Sequence, residues 1–213
     1  MQSIKSLENQ YAGEDIYVIG AGKSGDFIDP EFLKDRIAIG VNQSHRRFKH
    51  LKYIIKKDGV SAEDLATGIP TIVSAYECGS FTDRKNAGDY FFSHDINKHA
   101  NISINNLHPE GDHIIVSYST ITSAMHIAAF LGAKAIFLIG HDCRSMDGES
   151  SFTGYHSGVP ALWKSMDKYT AWLSEIEPQS TMTKAYIKQA YDCNIYSINP
   201  FVSLRFEGHE LGK

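Results

Sequence analysis

Cysteine is scarce in this chain of 213 residues: Cys78, Cys143 and Cys193 are the only three, an odd number with no C-x-x-C spacing. That excludes a disulfide framework and points to a reducing, cytoplasmic setting. Basic residues are not in excess either. Lys and Arg number 21 against 25 Asp and Glu, a net charge of −4. The cationic surface of a duplex-binding protein is therefore missing, and no nucleic-acid partner is expected. No stretch approaches the ~18 consecutive apolar residues that span a bilayer. The opening MQSIKSLENQYAGED is polar and lacks the apolar centre of a signal peptide. None of the ten histidines has another three or four residues away, so a helix-borne pair for a transition metal is not expected.

Short apolar runs alternate with helix-like segments. IYVIG (16–20), IAIG (37–40), KYIIK (52–56), TIVS (71–74), HIIVS (113–117), AIFLIG (135–140) and NIYSIN (194–199) read as strands. Several are apolar on both alternations, as strands covered by helices on both faces are. TITSAMHIAAFLGAK (120–134) reads as a helix opened by Ser/Thr and closed by Gly132. ALWKSMDKYTAWLSEIE (161–177) carries Leu162, Met166, Tyr169, Leu173 and Ile176 on one face, a core stripe. Pro178 is expected to break that pattern before a further helix over STMTKAYIKQAY. The order implies an α/β fold, a doubly wound, Rossmann-like sheet of about seven mainly parallel strands with helices on both faces. The whole of 1–213 is expected to form one domain. Two polar stretches interrupt it: an insertion at 75–112 and a lid-like loop at 141–160.

In such sheets ligands bind beyond the carboxyl ends of the strands. The first end reads DIYVIGAGKSGDFIDP (15–30), and Gly20, Gly22 and Gly25 satisfy G-x-G-x-x-G. It also contains GKS, yet the glycine a P-loop needs ahead of Gly22–Lys23 is Tyr17, so that reading fails. A dinucleotide site needs a full helix here and an acidic residue after the second strand. Pro30 leaves room for a single helical turn, and Asn42 stands at the second strand end. What survives is a glycine-loosened loop, Gly20, Gly22, Ser24 and Gly25, offering backbone amides to a phosphate or sugar.

Ser117, Ser119, Thr120 and Thr122 cluster at a helix start, where free amides and the helix dipole favour an anion. Asp142 emerges after LIG, with His141 and Asp147 nearby, a set that leaves room for a loosely held Mg²⁺ without requiring one. In the lid, Arg144 could neutralise a phosphate, Tyr155 could donate to it, and His156 is a candidate general base.

IYVIGAGKSGDFID, IAIGVNQS and STITSAMHIAAFLGAKAIFLIGHD, in that order, resemble a group of proteins. It includes the bacterial lipooligosaccharide sialyltransferases and the archaeal 6-hydroxymethyl-dihydropterin diphosphokinases. The resemblance covers 15–58 and 113–142, and the last strand with INPFVS more weakly. The sialyltransferase likeness implies an inverting glycosyltransferase with a nucleotide-sugar donor, CMP-linked, and a glycan or small-molecule acceptor. It implies that Gly20, Gly22 and Ser24 border the nucleotide, with Lys23 suited to a phosphate. Asn42 would bond the cytidine nucleotide, Ser119 and Thr120 the phosphate or donor carboxylate, and Asp142 would lie beside the nucleotide. His156–Ser157 matches the family's His-Ser pair, whose histidine is the general base. Ala21 stands where the family has Asn, Lys23 where it has Pro, and Arg144 near the place of a phosphate-binding Tyr. The diphosphokinase likeness implies ATP, a pterin-like alcohol and Mg²⁺ held by Asp142 and Asp58. A non-catalytic nucleotide- or sugar-binding protein is the remaining alternative, and assembly is open between a monomer and a homo-oligomer.

Overall fold

Strand residues divide between two cores. Ile16, Val18, Ile39, Val41, Tyr53, Ile55, Ile136 and Leu138 enter the larger cluster, whereas Ile19, Ala38, Ile54 and Ile139 enter a second one on the opposite face. That division is the period of two of an extended chain buried on both sides. The computed structural model describes residues 1–57, 59–75, 87–94, 113–117, 119–146, 148–155, 167–168, 171 and 175–198.

Eight strands pair among these residues: β1 (Gln2–Ser3), β2 (Asp15–Ile19), β3 (Ile37–Val41), β4 (Tyr53–Lys56), β5 (Thr71–Ser74), β6 (Tyr90–Phe92), β7 (Ala135–Ile139) and β8 (Asn194–Ser197). They form one sheet in the order β1-β6-β5-β4-β3-β2-β7-β8, parallel throughout. The helices described are a single turn α1 (Ala62–Leu65), α2 (Thr120–Phe130) and α3 (Ile176–Tyr191). All eleven residues of α2 are buried, because it lies between strands β2, β3 and β4 on one side and α3 on the other. No helix among the described residues is long and apolar enough to cross a membrane.

The α/β expectation holds, with four differences in detail. Among the described residues the sheet has eight strands rather than about seven. β1 and β6 are two and three residues long, too short to leave a periodic signal, and β6 lies inside the 75–112 insertion. HIIVS (113–117) is not a ladder strand. After one parallel bridge from His113 to Ser93, the Ile115 amide donates to His126 Nδ1 at 3.0 Å, and the Ile115 carbonyl accepts from Ser123 Oγ at 2.7 Å. Two side chains of α2 thus take the backbone groups that a neighbouring strand would have used. Pro178 does not break a helix: it occupies the first turn of α3, where its missing N–H costs nothing. The helix expected to begin α2 does begin at Thr120, and it ends as expected at Gly132. Gly132, at φ +93°, donates to Ala129 O, and Ala133 donates to Ala128 O, a paired C-terminal closure. Most of the helix expected over 161–177 lies outside the described residues.

Two histidines sit in this core without charge. His126 also bonds Tyr191 Oη at 2.9 Å, and burial brings its pKa from the ordinary 6.5 to about 3. His141 bonds Ser180 Oγ at 2.9 Å and is lowered to about 4 for the same reason. Between those values and 6.5 the unfolded chain binds protons that the folded chain refuses, so stability falls as pH falls. Each histidine should remove ~2 kcal/mol between pH 7 and pH 5. Urea denaturation at the two pH values checks this: H126Q should lose about half of the combined slope, and an unchanged slope refutes the assignment.

Candidate active site

The chain runs β2, β3, β4, β5 towards one edge of the sheet and β7, β8 towards the other. The direction of winding therefore reverses between β2 and β7, and in such sheets the carboxyl ends flanking that reversal are where the ligand crevice lies. The glycine loop leaves β2 there. Gly20 N–H donates to Ile139 O and Gly22 N–H to Gly140 O, each at 2.7 Å. The two backbones are so close that a Cβ on Gly22 would stand 2.6 Å from Asp142 Oδ2 and 2.7 Å from Gly140 O. Gly140 turns away from β7 at φ +66°, a conformation that a side chain would oppose.

Asp142 follows that turn and is 3% exposed. Its Oδ2 accepts from the Ser24 amide at 2.8 Å and its Oδ1 from the Ser24 hydroxyl. Burial pushes the carboxyl up from its ordinary value, opposed by the two Ser24 bonds and the charge of Arg144. The carboxylate therefore ties the β2 loop to the β7 loop across the crevice. Residues 23–27 form one tight 3₁₀ turn, as Pro30 requires, and not the long helix of a dinucleotide site.

The tip of α2 reaches the same place. A Cβ on Gly20 would lie 3.4 Å from Ile121 Cδ1, in the first turn of α2. Ser119 is the N-cap and its Oγ accepts from the Ile121 amide at 3.4 Å. Ser117 Oγ and Thr122 Oγ1 bond each other at 2.7 Å, and Thr122 also donates to Ser119 O, so these two hydroxyls shape the turn. Thr120 is buried beside the cap. Lys57, which the sequence reading passed over, donates from Nζ to Ser117 O at 3.0 Å. It brings a cation to an already electropositive helix start. Its only signal in the sequence is its position just after β4, at a strand's carboxyl end.

The lid is fastened to the glycine loop. Phe152 is buried, its amide donates to Ala21 O at 3.0 Å, and its ring meets Phe48 and Tyr155 edge to face. Asp26 accepts from the Thr153 amide and hydroxyl, at 3.0 and 2.9 Å. Arg47 donates to the carbonyls of Gly25, Asp26 and Ile28. Lys23 pairs with Glu149 at 2.6 Å and Asp26 at 3.1 Å, bonds that raise its pKa. The ammonium thus clasps the lid in this structure.

Gly20, Gly22, Ser24, Asp142, Ser119 and Thr120 are gathered at the crevice. Arg144 is exposed beside Asp142, and Tyr155 is half-buried against Phe152. Asn42 follows β3, the strand next to β2, in the left-handed region at φ +51°. His156, Ser157, Asp58 and Asp147 lie outside the described residues. Among the described residues, no group of three His, Cys, Asp or Glu could hold a metal ion.

The sequence matches no protein-family model and no curated protein. Solved structures do match. One is the sialyltransferase CST-II in complex with a trisaccharide acceptor and CMP, at a TM-score of 0.54 and 15% identity over 92% of this chain and 85% of that one. Another is CstII from Campylobacter jejuni with a substrate analogue, cytidine-5'-monophosphate, at a TM-score of 0.51, 15% identity and the same coverage. The monofunctional alpha-2,3-sialyltransferase Cst-I from Campylobacter jejuni matches at a TM-score of 0.51 and 16% identity, over 92% of this chain and 79% of that one. The chain therefore has a fold similar to that of the Campylobacter sialyltransferases.

Proposed function

We propose that this protein is a nucleotide-sugar-dependent glycosyltransferase of the sialyltransferase type, with a CMP-linked donor and a glycan hydroxyl as acceptor. The observation that carries the reading is the junction at the winding reversal. There the loop with Gly20, Gly22 and Ser24, locked by Asp142, meets the amino tip of α2, on a fold shared with CMP-bound sialyltransferases. A helix start with capping hydroxyls and a nearby lysine suits the phosphate of a leaving nucleotide.

In this reading Gly20 and Gly22 admit the nucleotide to the backbone, and Asn42 bonds its base or sugar. Ser119, Thr120 and Lys57 hold the phosphate or the donor carboxylate. Arg144, Tyr155 and Ser157 close over it, and Lys23 keeps the lid in register with the loop. Asp142 is a positioning residue, since both of its oxygens are engaged with Ser24. His156 is the general base. It takes the proton from the acceptor hydroxyl, whose oxygen attacks the anomeric carbon as the bond to the phosphate oxygen breaks. The sugar inverts and the nucleotide departs with the negative charge, stabilised by the donors at α2. Mg²⁺ is compatible with this scheme but has no assigned step. The cysteine usage supports a cytoplasmic location.

A thermal-shift series with CMP, CDP, UDP, GDP and ATP, each with and without Mg²⁺, tests the donor. CMP at roughly 100 Kd should add about 2.7 kcal/mol of stability. His156→Ala should abolish transfer while leaving the CMP shift intact. Stabilisation by ATP with Mg²⁺ and none by CMP would overturn the reading.

A further inference from the structure

Five buried side-chain polar atoms complete no close hydrogen bond among the described residues, and four of them belong to one turn after β3: Ser44 Oγ, the two ring nitrogens of His45, whose ring faces the Asn42 backbone, and Arg46 Nε. Buried polar atoms are seldom left so in native proteins, and each specific case asks for a partner. His45 and Arg46 line an open groove of about 360 Å³ whose other walls are Lys49, Glu63, Ala66 and Thr67. The groove lies on the flank of the sheet, formed by the segments that follow β3 and β4, and is separate from the β2–β7 crevice.

The chemistry of its walls selects the ligand. Lys49 is exposed at the rim and donates to the His45 carbonyl at 2.9 Å, one of three donors on its ammonium. Arg46 reaches Glu63 at 2.6 Å from Nη2 and the Gly154 carbonyl at 3.4 Å from Nη1. Among the described residues Glu63 supplies the only carboxylate on the walls, and it already faces Arg46. Two cations against one carboxylate, among the described residues, disfavour a cationic ligand, and an apolar one would desolvate the charged heads of Lys49 and Arg46. An oxyanion answers this: it accepts from the ammonium and the guanidinium, with the neutral His45 ring beneath them. Arg46 also connects the groove to the lid, because Gly154 lies one residue from Tyr155 and within the segment fastened by Asp26.

We propose that this groove is an oxyanion subsite, taking a phosphate or carboxylate group carried by the acceptor, with Lys49 and Arg46 as its cations and His45 at its floor. The acceptor assignment rests on the glycosyltransferase reading; the anion site itself does not.

The test follows the His45 ring by NMR in the full chain, with ionic strength held constant by chloride. Inorganic phosphate and glucuronic acid are titrated separately, with lactose as the neutral control. Saturable movement of the His45 signal by phosphate or glucuronic acid, and none by lactose, is expected. The anion that saturates at lower concentration names the oxyanion class. Lys49→Gln should raise the apparent dissociation constant at least fivefold, and Arg46→Gln should do the same. Lys49 is exposed, so its variant is readable even if Arg46→Gln folds poorly. A response that never saturates, or is unchanged in Lys49→Gln, overturns the subsite. CMP is titrated into the same samples and followed at the Ser24 and Ser119 amides. CMP binding without any anion response sinks the subsite alone, and a saturable anion response without CMP binding supports the subsite and sinks the donor reading.

Discussion

Gly22→Ala should destabilise the protein by ~2–3 kcal/mol, the scale of overpacking in a filled site, and should weaken CMP binding at least a hundredfold. Gly22 has φ −63° and ψ 155°, which alanine adopts freely, so backbone strain contributes nothing. The cost is steric. The added methyl would meet the Asp142 carboxylate at 2.6–2.7 Å and the Gly140 carbonyl at 2.7 Å, and neither can retreat. Asp142 is held by Ser24 and the Gly140 backbone by its own bond from Gly22. The loop must move away from β7, and the phosphate site moves with it. Gly25→Ala is the matched control. It is the third glycine of the motif, but its Cβ would find ordinary contacts, Phe152 at 3.7 Å and Phe48 at 3.8 Å. It should change stability by less than about 0.5 kcal/mol and leave CMP binding intact. Thermal melts and CMP titrations of both variants decide the matter: equal damage from the two would mean that close backbone approach is not what the loop provides.

Asp64→Ala should be the most damaging change away from the crevice, at ~3–5 kcal/mol by urea denaturation. Lys56 and Asp64 form an ion pair at 2.6 Å with both side chains 3% exposed or less. Asp64 also accepts from the amide and hydroxyl of Ser61, closing the capping box of α1. Burial alone would raise its pKa; Lys56 and Ser61 together hold it below the ordinary value. Removing the carboxylate takes away the 2.6 Å ion-pair partner of a buried ammonium and, with it, the half of the capping box that Asp64 supplies to the Ser61 amide. The double variant Lys56→Met/Asp64→Leu should recover more than half of the loss, since two apolar groups leave no buried charge behind. If the double variant is as unstable as Asp64→Ala, the cap rather than the charge dominates.

Much of the frame was legible in the sequence because it is local. An apolar run bounded by glycine declares β2, and the Ser/Thr cluster followed by small and apolar residues declares α2. Gly132 declares the end of α2. Pro30 correctly limits the glycine loop to one turn, since a proline's effect is confined to its neighbours. The departures arise where a distant partner decides. Ile115 reads as a strand residue from its neighbours, but His126 and Ser123 take its amide and carbonyl. Lys23 has a charge that would suit a phosphate, but Glu149, more than a hundred positions away, pairs with it. Nothing in the sequence sets His45 apart from the other nine histidines; its burial does.

By itself, then, the sequence determined which segments extend, which coil, where the backbone can turn tightly and which strand ends carry polar chemistry, because propensity, period and capping act over a few residues. The tertiary structure alone decided that Asp142 grips Ser24 across 118 positions of chain, that Lys56 is buried against Asp64, and that the lid is clasped to the glycine loop. Those contacts depend on the order of strands in the sheet, which is set by packing between segments far apart in the chain and leaves no periodic trace in either one.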